Sequence, residues 1–506
     1  MNSQTFRSTI FRSTVLLGSI WASTLFARAE AKSPPPSQAG QCRSTTASFP
    51  ARPEAPQWNG WSVDATNRRF QSTAMAGLSP ADVPRLKLKW AFGFAGATVA
   101  FSQPTIVHGT VFVGSEDGRV FSLDASSGCT KWSFQAGAGV RTAVVVGPNV
   151  SEGLANYAVY FGDQHGSVYA LDAASGQLLW KAQADPHPAA MITGSPQLWH
   201  GRLYVPVVSS EENFAIDPHY ECCRFRGSVV ALDAGSGSQI WKTYTIGEVS
   251  HPTTRSKAGT QLWGPSGAGI WSAPTLDPDH SAIYVATGNS YSDPATDTSD
   301  SILALNMNSG KILWSRQLTA NDAYNSSCVW FFDHAQSNCP QAPGSDFDFG
   351  SPPILISFSR DRRALIASQK SGVVYALDPD HEGKTLWQTR VGKGGPLGGI
   401  EWGSAADADK VYAAVSDCSW LAGGELDPAS GGGIFALRLS TGDKVWHQPP
   451  SAACQDRKNC TPAQLAAVSA ISRVVFSEAL DGHLRAYSTD DGHVIWDFDT
   501  SETSSR

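Results

Sequence analysis

A phrase that recurs along the whole chain constrains the fold more than any other feature. It has the form G-x-V-Y-A-L-D-A-x-S-G-x-x-x-W and occurs seven times. Each copy has a stretch with period-2 alternation, a turn at Asp-Ala-x-Ser-Gly, and a second stretch that ends in tryptophan, which predicts a β-hairpin. The copies cover residues 118–132, 166–180, 227–241, 301–314, 372–387, 433–446 and 482–496.

The residues before each phrase add further strands, as residues 143–147 and 158–162 do, which gives about four strands per unit. Successive terminal tryptophans lie about 42 to 73 residues apart, close to the spacing of four-stranded propeller blades at the short end and with insertions at the long end. A single hairpin cannot bury its apolar face, so the units must stack. Closure into a ring removes exposed edge strands, and the repeated tryptophan becomes the packing wedge between neighbouring blades.

Trp90 supplies an eighth terminal tryptophan, without the preceding half of the repeat. We therefore expect an all-β fold, an eight-bladed β-propeller over residues 81–500. The N-terminal strand that ends at Trp90 is expected to complete a blade begun by the C-terminal segment and so to close the ring.

The first 29 residues have the form of a secretory signal. Arg7 and Arg12 precede an apolar stretch over residues 15–26, and Ala27-Arg28-Ala29 has the A-x-A form of a cleavage site. The stretch is shorter than the roughly 20 apolar residues that a membrane anchor needs. We expect removal of residues 1–29, an N-terminal extension over residues 30–80 that packs on the propeller, and a periplasmic or secreted protein without a membrane span.

The charge of the chain argues against a nucleic-acid partner. The formal net charge is −7, and removal of residues 1–29 takes away three arginines and no acid, which leaves −10. Nucleic-acid binding depends on basic patches that neutralise phosphates.

Nine cysteines in an exported chain favour disulfides. Cys328 with Cys339, and Cys454 with Cys460, are close enough in sequence to close small loops. Adjacent Cys222 and Cys223 invite a vicinal disulfide, and the alternative is that they pair with Cys42, Cys129 or Cys418.

The phrase A-L-D-A-x-S-G-x-x-x-W resembles the repeat of the pyrroloquinoline-quinone (PQQ) dependent quinoprotein alcohol dehydrogenase family, over essentially the whole mature chain. Four shorter phrases look like the polyvinyl alcohol dehydrogenase branch of this family. They cover residues 60–64, 86–92, 220–223 and 346–350.

The resemblance implies a calcium site and a catalytic base. Glu212 matches the place of a carboxylate ligand, with Glu211 as the fallback, and Asn289 matches the strand-end asparagine that offers its amide oxygen. Asp348 matches the catalytic base, which also contacts the metal. Gly350 stands where lanthanide-using members carry an extra aspartate, so the resemblance implies Ca²⁺.

A competing segment, Asp322-Ala-Tyr-Asn325, lies in the register where the family usually places the base, but it carries asparagine at the base position. We therefore interpret residues 323–345 as an insertion. Phe347 replaces the tryptophan that usually precedes the base.

The same resemblance implies the contacts of PQQ. Trp271 lies six residues before Asp-Pro, where the family places the indole that forms the floor under the flat cofactor. Lys370 matches the basic residue near the quinone oxygens, and Arg141 is a second candidate contact for a tri-acid cofactor. A vicinal disulfide of Cys222 and Cys223 would lie on the opposite face of the quinone.

The implied activity is oxidation of alcohols, with secondary alcohols expected, and Asp348 as the proton acceptor. No C-x-x-C-H haem motif occurs in the sequence, so electrons would leave to a separate cytochrome c. Two alternatives remain open. The first is a non-catalytic periplasmic propeller scaffold, because the repeat also occurs in such proteins. The second is a carbohydrate-active propeller, which needs a carboxylate pair flanking a sugar, and adjacent Glu211 and Glu212 do not establish one.

Overall fold

The computed structural model describes residues 40–42, 57–97, 99–149, 156–329, 337–359, 362–421, 424–454, 457 and 459–500. The predicted signal segment, residues 1–29, lies outside the described residues. So do residues 30–39 and 43–56 of the expected N-terminal extension. Among the described residues, no helix is long and apolar enough to cross a membrane.

Seven antiparallel sheets form the blades of a propeller in the described part of the chain. A short strand, β1 (Phe70–Gln71), precedes them. Blade 1 contains β2 (Thr105–Val107), β3 (Thr110–Gly114), β4 (Arg119–Asp124) and β5 (Thr130–Gln135). Blade 2 contains β6 (Val145–Asn149), β7 (Asn156–Gly162), β8 (Ser167–Asp172) and β9 (Leu178–Gln183). Blade 3 contains β10 (Ala190–Met191), β11 (Gln197–Trp199), β12 (Arg202–Ser209), β13 (Ser228–Asp233) and β14 (Gln239–Tyr244).

Two small two-stranded sheets are formed by the segment between blades 3 and 4 and by the loop between two strands of blade 4. They pair β15 (His251–Arg255) with β16 (Gln261–Gly264), and β17 (Ser266–Gly267) with β20 (Ser290–Ser292). Blade 4 contains β18 (Thr275–Asp277), β19 (Ala282–Ala286), β21 (Ser301–Asn306) and β22 (Ile312–Gln317). Blade 5 contains β23 (Ile354–Ser359), β24 (Arg362–Ser368), β25 (Val373–Asp378) and β26 (Lys384–Arg390).

Blade 6 contains β27 (Ala405–Ala406), β28 (Lys410–Val415), β29 (Gly433–Arg438) and β30 (Lys444–Gln448). Blade 7 contains β31 (Ser469–Ile471), β32 (Val474–Glu478), β33 (His483–Ser488) and β34 (Val494–Asp499). The α-helices of the described residues are single turns, α1 (Thr73–Ala76) and α2 (Glu211–Phe214), and 3-10 turns occur at Val83–Arg85, Pro278–His280 and Ser326–Cys328.

The repeated phrase forms a hairpin because its turn residues satisfy one another. In blade 2, Oδ1 of Asp172 accepts hydrogen bonds from the backbone N–H and the hydroxyl of Ser175 at 2.8 and 2.7 Å. Gly176 follows with φ +72° and packs directly under the ring of Trp132 from blade 1, where a side chain would clash. Trp132 Nε1 in turn donates to the carbonyl oxygen of Ala173 at 3.1 Å. The tryptophan of each hairpin thus fixes the turn of the next blade.

The prediction of eight blades is wrong, because the described chain forms seven. Residues 86–94 around Trp90 form no strand. Trp90 packs on Gly128 and donates its indole N–H to Ala125 at 3.1 Å, as the other tryptophans do with their next blade. A wedge contact needs only one side chain, whereas a blade needs several preceding strands. In the described part of the chain, the one strand before Trp90 is β1, which belongs to the sheet of blade 7.

The N-terminal chain does join blade 7, but through β1, which pairs in parallel with β31 at Phe70 and Ala470. The residues before β1 cross from blade to blade. The backbone carbonyl oxygens of Ala65, Thr66 and Arg68 accept hydrogen bonds from the first strands of blades 4, 5 and 6 at 2.9, 3.0 and 2.9 Å. Residues 65–71 therefore tie together four of the seven blades.

Four disulfides are formed. The predicted pairs Cys328–Cys339 and Cys454–Cys460 are confirmed. Cys222 and Cys223 form the vicinal disulfide, and Cys42 pairs with Cys129. Cys418 is free.

Candidate active site

Three of the predicted site residues meet between blades 4 and 5. Asn289 follows β19, Asp348 precedes β23, and Lys370 follows β24. The backbone N–H of Asn289 donates to Oδ1 of Asp348 at 2.6 Å, and Nζ of Lys370 lies 3.1 Å from Oδ2. Both carboxylate oxygens of Asp348 are therefore held, in a side chain that is nearly buried.

Asp346 is a second partner of Lys370, and the sequence reasoning gave it no role. Its Oδ1 lies 3.0 Å from Nζ of Lys370. Burial opposes the charge on the lysine, but the carboxylates of Asp346 and Asp348 outweigh this and raise the pKa of Lys370 well above its usual range. Lys370 is therefore a permanent cation between two carboxylates.

The side chain of Asn289 presents a free oxygen. Its Nδ2 donates to the carbonyl oxygens of Ser290 and Tyr324 at 2.9 and 2.6 Å, which fixes the amide orientation. Oδ1 is buried and has no hydrogen-bond partner among the described residues. A buried acceptor without a partner is costly, so this oxygen is suited to a cation or a donor that the protein alone does not supply.

Glu211 and Glu212 have different environments. The carboxylate of Glu211 accepts hydrogen bonds from Tyr220 Oη at 3.0 Å and from the backbone N–H groups of Arg224 and Phe225 at 2.8 and 2.7 Å. Its bonding capacity is used within the loop that carries the vicinal disulfide.

Glu212 interacts electrostatically with the site instead. Burial raises the pKa of Glu212 to about 8, with the charge of Asp348 acting in the same direction and that of Lys370 in the opposite one. Of the two adjacent glutamates, Glu212 is therefore the one whose charge belongs to the Asp348 cluster.

Trp271 borders the same cluster. A Cβ at Gly288 would clash with Oδ1 of Asp348 and would lie 2.9 Å from Nε1 of Trp271, so the indole edge and the carboxylate approach one stretch of backbone. Nε1 of Trp271 is buried without a hydrogen-bond partner among the described residues. Glycine at position 288 is what permits this approach.

Trp271 also lines a cavity of about 350 Å³, together with Gly350, Arg141 and Trp402. This volume lies at the lower end of the range for small-molecule sites. The Arg141 guanidinium lies 4.5 Å from the ring centre of Trp402 and 4.9 Å from that of Phe101. Burial lowers the pKa of Arg141 to about 10, so it remains charged at neutral pH. Arg141 thus lines the same cavity as Trp271.

The disulfide Cys222–Cys223 is buried in a core cluster with Phe225 and Tyr291. The carbonyl oxygen of Cys222 accepts a hydrogen bond from the N–H of Trp263, and the N–H of Cys223 donates to the carbonyl oxygen of Trp263. Asn325 Nδ2 lies 3.9 Å from the sulfur of Cys222. Tyr291 lies in β20, two residues after Asn289, so the disulfide packs against the strand that directly follows one predicted ligand.

Three further buried acids surround the site, and sequence reasoning missed the role of each. Asp322 begins the segment that was set aside because it carries asparagine at the base position. Its carboxylate accepts hydrogen bonds from the backbone N–H groups of Asp346 and Phe347 at 3.1 and 2.8 Å. Asp300 and Glu401 have carboxyl oxygens without partners among the described residues. No motif marks either position in the sequence.

Burial raises the pKa of Asp300 well above its usual range and that of Glu401 to about 8. Lys370 is thus the cation with which six buried or half-buried carboxyl groups interact electrostatically. They belong to residues 212, 300, 322, 346, 348 and 401. Such an excess of acid strongly favours a bound cation or protonation of several of the groups. No three His, Cys, Asp or Glu side chains of the described residues converge tightly enough to hold a metal ion in this arrangement.

Comparison with known proteins gives the family. Residues 58–393 match the glucose/ethanol/alcohol dehydrogenase β-propeller domain of PQQ proteins. The chain is 43% identical over 447 residues to a polyvinylalcohol dehydrogenase of a Pseudomonas species, covering 88% of this chain and 68% of that one. It is 41% identical over 449 residues to the polyvinylalcohol dehydrogenase of Sphingopyxis sp. strain 113P3, covering 88% and 67%.

Solved structures agree on the fold. The quinohemoprotein alcohol dehydrogenase from Comamonas testosteroni superposes with a TM-score of 0.61 at 19% identity, over 88% of this chain and 73% of that one. A europium-containing methanol dehydrogenase gives a TM-score of 0.63 at 18% identity, over 88% and 86%. Residues 360–506 also match the outer membrane protein assembly factor BamB, a match confined to the later blades.

The chain belongs to the PQQ-dependent quinoprotein alcohol dehydrogenase family, which the match over residues 58–393 and the two curated relatives show. It is an oxidoreductase of the alcohol dehydrogenase type. Within the family it is similar to the polyvinylalcohol dehydrogenases.

Proposed function

We propose that the enzyme oxidises secondary alcohols, such as those of polyvinyl alcohol, to ketones with PQQ and Ca²⁺, and that it passes the electrons to an external cytochrome c in the periplasm or outside the cell. One observation carries the proposal. The buried carboxylate of Asp348 is fixed between the N–H of Asn289 and the ammonium of Lys370, next to residues that fit both cofactors.

The residues around Asp348 fit a hard cation. The free amide oxygen of Asn289 and the carboxylates of Glu212 and Asp348 are ligands of the kind that Ca²⁺ prefers. The surplus of buried acid supplies the negative field that draws a divalent ion in. We assign Glu212, Asn289 and Asp348 as the calcium ligands.

The cavity beside this cluster fits a flat, acidic cofactor. Trp271 offers an aromatic face, and Arg141 and Lys370 offer positive charge to the carboxylates and quinone oxygens of PQQ. Cys222 and Cys223 are assigned to the opposite face of the cofactor, where their disulfide ring would be a second rigid surface.

When bound, PQQ supplies the hydride acceptor and Ca²⁺ the Lewis acid. Asp348 accepts the proton of the alcohol hydroxyl. Lys370 and the backbone N–H of Asn289 each bond one of its carboxylate oxygens and so keep the group in place for that role. Asp346 shares Lys370, so it limits how strongly the lysine binds the base.

Dye-linked alcohol oxidation tests the proposal. The protein is reconstituted with PQQ and Ca²⁺ and offered polyvinyl alcohol, secondary alcohols and primary alcohols, with PQQ-free and EDTA-treated samples as controls. We expect turnover that requires both cofactors and favours secondary alcohols. Absence of turnover together with absence of PQQ binding would instead support a non-catalytic scaffold.

A further inference from the structure

The insertion over residues 323–345 contacts each segment that carries a proposed calcium ligand. Its described residues are 323–329 and 337–345, and the disulfide Cys328–Cys339 joins the two parts. Its end leads directly into Asp346 and Asp348.

The first part of the insertion is bonded to Asn289 and to β20, the short strand that directly follows Asn289. Tyr324 N–H donates to the carbonyl of Ser290 at 2.8 Å, and Ser290 N–H donates to the backbone carbonyl oxygen of Asp322 at 3.0 Å. The side-chain Nδ2 of Asn289 donates to the carbonyl of Tyr324 at 2.6 Å. The insertion itself therefore fixes the orientation of the Asn289 amide in which Oδ1 has no hydrogen-bond partner among the described residues.

Asn325 joins the two parts of the insertion to that strand. It is fully buried, and its Nδ2 donates to the carbonyls of Tyr291 at 2.9 Å and Asn338 at 3.0 Å. Its Oδ1 accepts from Ser327 N–H at 2.9 Å. The side chain of Asn325 therefore connects β20 with both parts of the insertion, at Ser327 next to Cys328 and at Asn338 next to Cys339.

Asn338 holds the segment after Glu212. Its buried Nδ2 donates to three backbone carbonyls that follow α2, those of Ala215 at 3.1 Å, Asp217 at 2.7 Å and Tyr220 at 3.3 Å. Ser326 adds a bond from its hydroxyl to Asn213 at 2.7 Å. These contacts cap the short helix in which Glu212 lies.

We propose that Asn325 and Asn338, closed by the Cys328–Cys339 disulfide, form a brace that sets the distance between Glu212 and Asn289 and so tunes the affinity of the cation site. The two asparagines are positioning residues, because they bond backbone groups and, in the case of Asn325, the sulfur of Cys222, but no side chain of a proposed calcium ligand. The proposal rests on the proposed function in one respect, the calcium site. Residues that orient metal ligands from behind typically change metal affinity by about 10- to 100-fold when they are lost.

The experiment compares full-length variants by calcium titration calorimetry and by hydrogen exchange. The brace variants are Asn338→Ala and the double variant Cys328→Ser with Cys339→Ser. Their matched controls are Asn59→Ala, which removes a similar backbone-bound amide between the N-terminal segment and blade 2, and Cys454→Ser with Cys460→Ser. We expect the brace variants to raise the calcium Kd about tenfold or more, and the controls to change stability but not Kd.

Hydrogen exchange distinguishes a failure of the proposed brace from a failure of the proposed calcium site. We expect faster amide exchange in residues 211–225 and 288–292 of the brace variants alone, with or without calcium. Unchanged exchange in these segments, or a wild-type calcium affinity in the brace variants, would overturn the brace. Absence of calcium binding by the wild type would refute the metal assignment in the proposed function, and the exchange data would then decide on the brace by themselves.

Discussion

The backbone N–H of Asn289 donates a 2.6 Å hydrogen bond to Oδ1 of Asp348, and this bond links blade 4 to blade 5 at the site. Gly288 allows the contact, because a side chain there would occupy the space of the carboxylate. The proposed base and one proposed metal ligand therefore have a fixed relative position within the protein fold itself.

Substitution of the base tests its role. Asp348→Asn keeps the shape of the side chain but cannot accept the alcohol proton, so we expect kcat to fall by about 10²- to 10⁴-fold. PQQ binding, measured by absorbance titration, should change little. Asp233→Asn, at a repeat turn, serves as the control for a folded aspartate variant and should retain wild-type turnover. Retention of most of the activity in Asp348→Asn would remove Asp348 from the chemistry.

The adjacent glutamates should respond differently. We expect Glu212→Gln to raise the calcium Kd about 10- to 100-fold with a small change in Tm, because its carboxylate belongs to the charged cluster. Glu211→Gln should instead lower the free energy of unfolding by roughly 1.5–3 kcal/mol, because it weakens charged hydrogen bonds to Tyr220, Arg224 and Phe225. Calcium titration and urea unfolding of both variants measure the two effects, and the reverse pattern would transfer the ligand role to Glu211.

The stability of the metal-free protein should fall with rising pH. Burial raises the pKa of Glu401 to about 8 in the folded chain, whereas the pKa of an exposed glutamate in the unfolded chain is 4.5. Between these values the unfolded chain is ionised and the folded chain holds the proton, so the folded state is favoured most below about pH 4.5 and loses that advantage up to about pH 8.

Urea unfolding midpoints of metal-free protein between pH 5 and 9 measure this slope. Glu401→Gln cannot ionise, so we expect it to reduce the loss of stability between pH 5 and 8. An identical slope in the wild type and the variant would show that Glu401 is not held protonated.

Position 350 should not accept the extra aspartate of lanthanide-using relatives. A Cβ at Gly350 would lie 2.7 Å from the backbone carbonyl oxygen of Glu401, closer than real contacts allow. We expect both Gly350→Ala and Gly350→Asp to lose roughly 1–3 kcal/mol of stability. Gly350→Asp should gain no lanthanide-dependent turnover. A stable Gly350→Asp variant that turns over with a lanthanide would contradict the steric argument.

The sequence predicted the hairpins well, because each carries its own turn residues and its own tryptophan wedge. Trp90 led to the prediction of eight blades, because a tryptophan that only packs on the next blade looks the same in the sequence as one that ends a strand. Only the second kind implies a further blade, because its strand pairs with other strands in a sheet. Asp348, Asn289 and Lys370 could be proposed from the sequence because each belongs to a recognisable phrase, and the structure brings the three residues together.

Other parts of the site leave no pattern in the sequence. Asp300 and Glu401 become members of the cluster only when blades 4, 5 and 6 come together. The choice between Glu211 and Glu212 depends on the direction of one helical turn. Asn325 and Asn338 gain their role from backbone carbonyls that lie far away in the sequence, those of Tyr291 and Ala215, which are 34 and 123 residues distant.

The most direct test of the central claim is a crystal structure of the enzyme loaded with PQQ and Ca²⁺. We predict a cation about 2.3–2.6 Å from oxygens of Glu212, Asn289 and Asp348, with the cofactor stacked on Trp271 and its acidic groups near Lys370 and Arg141. A cation bound by other residues, or a cofactor that does not contact Trp271, would contradict the account.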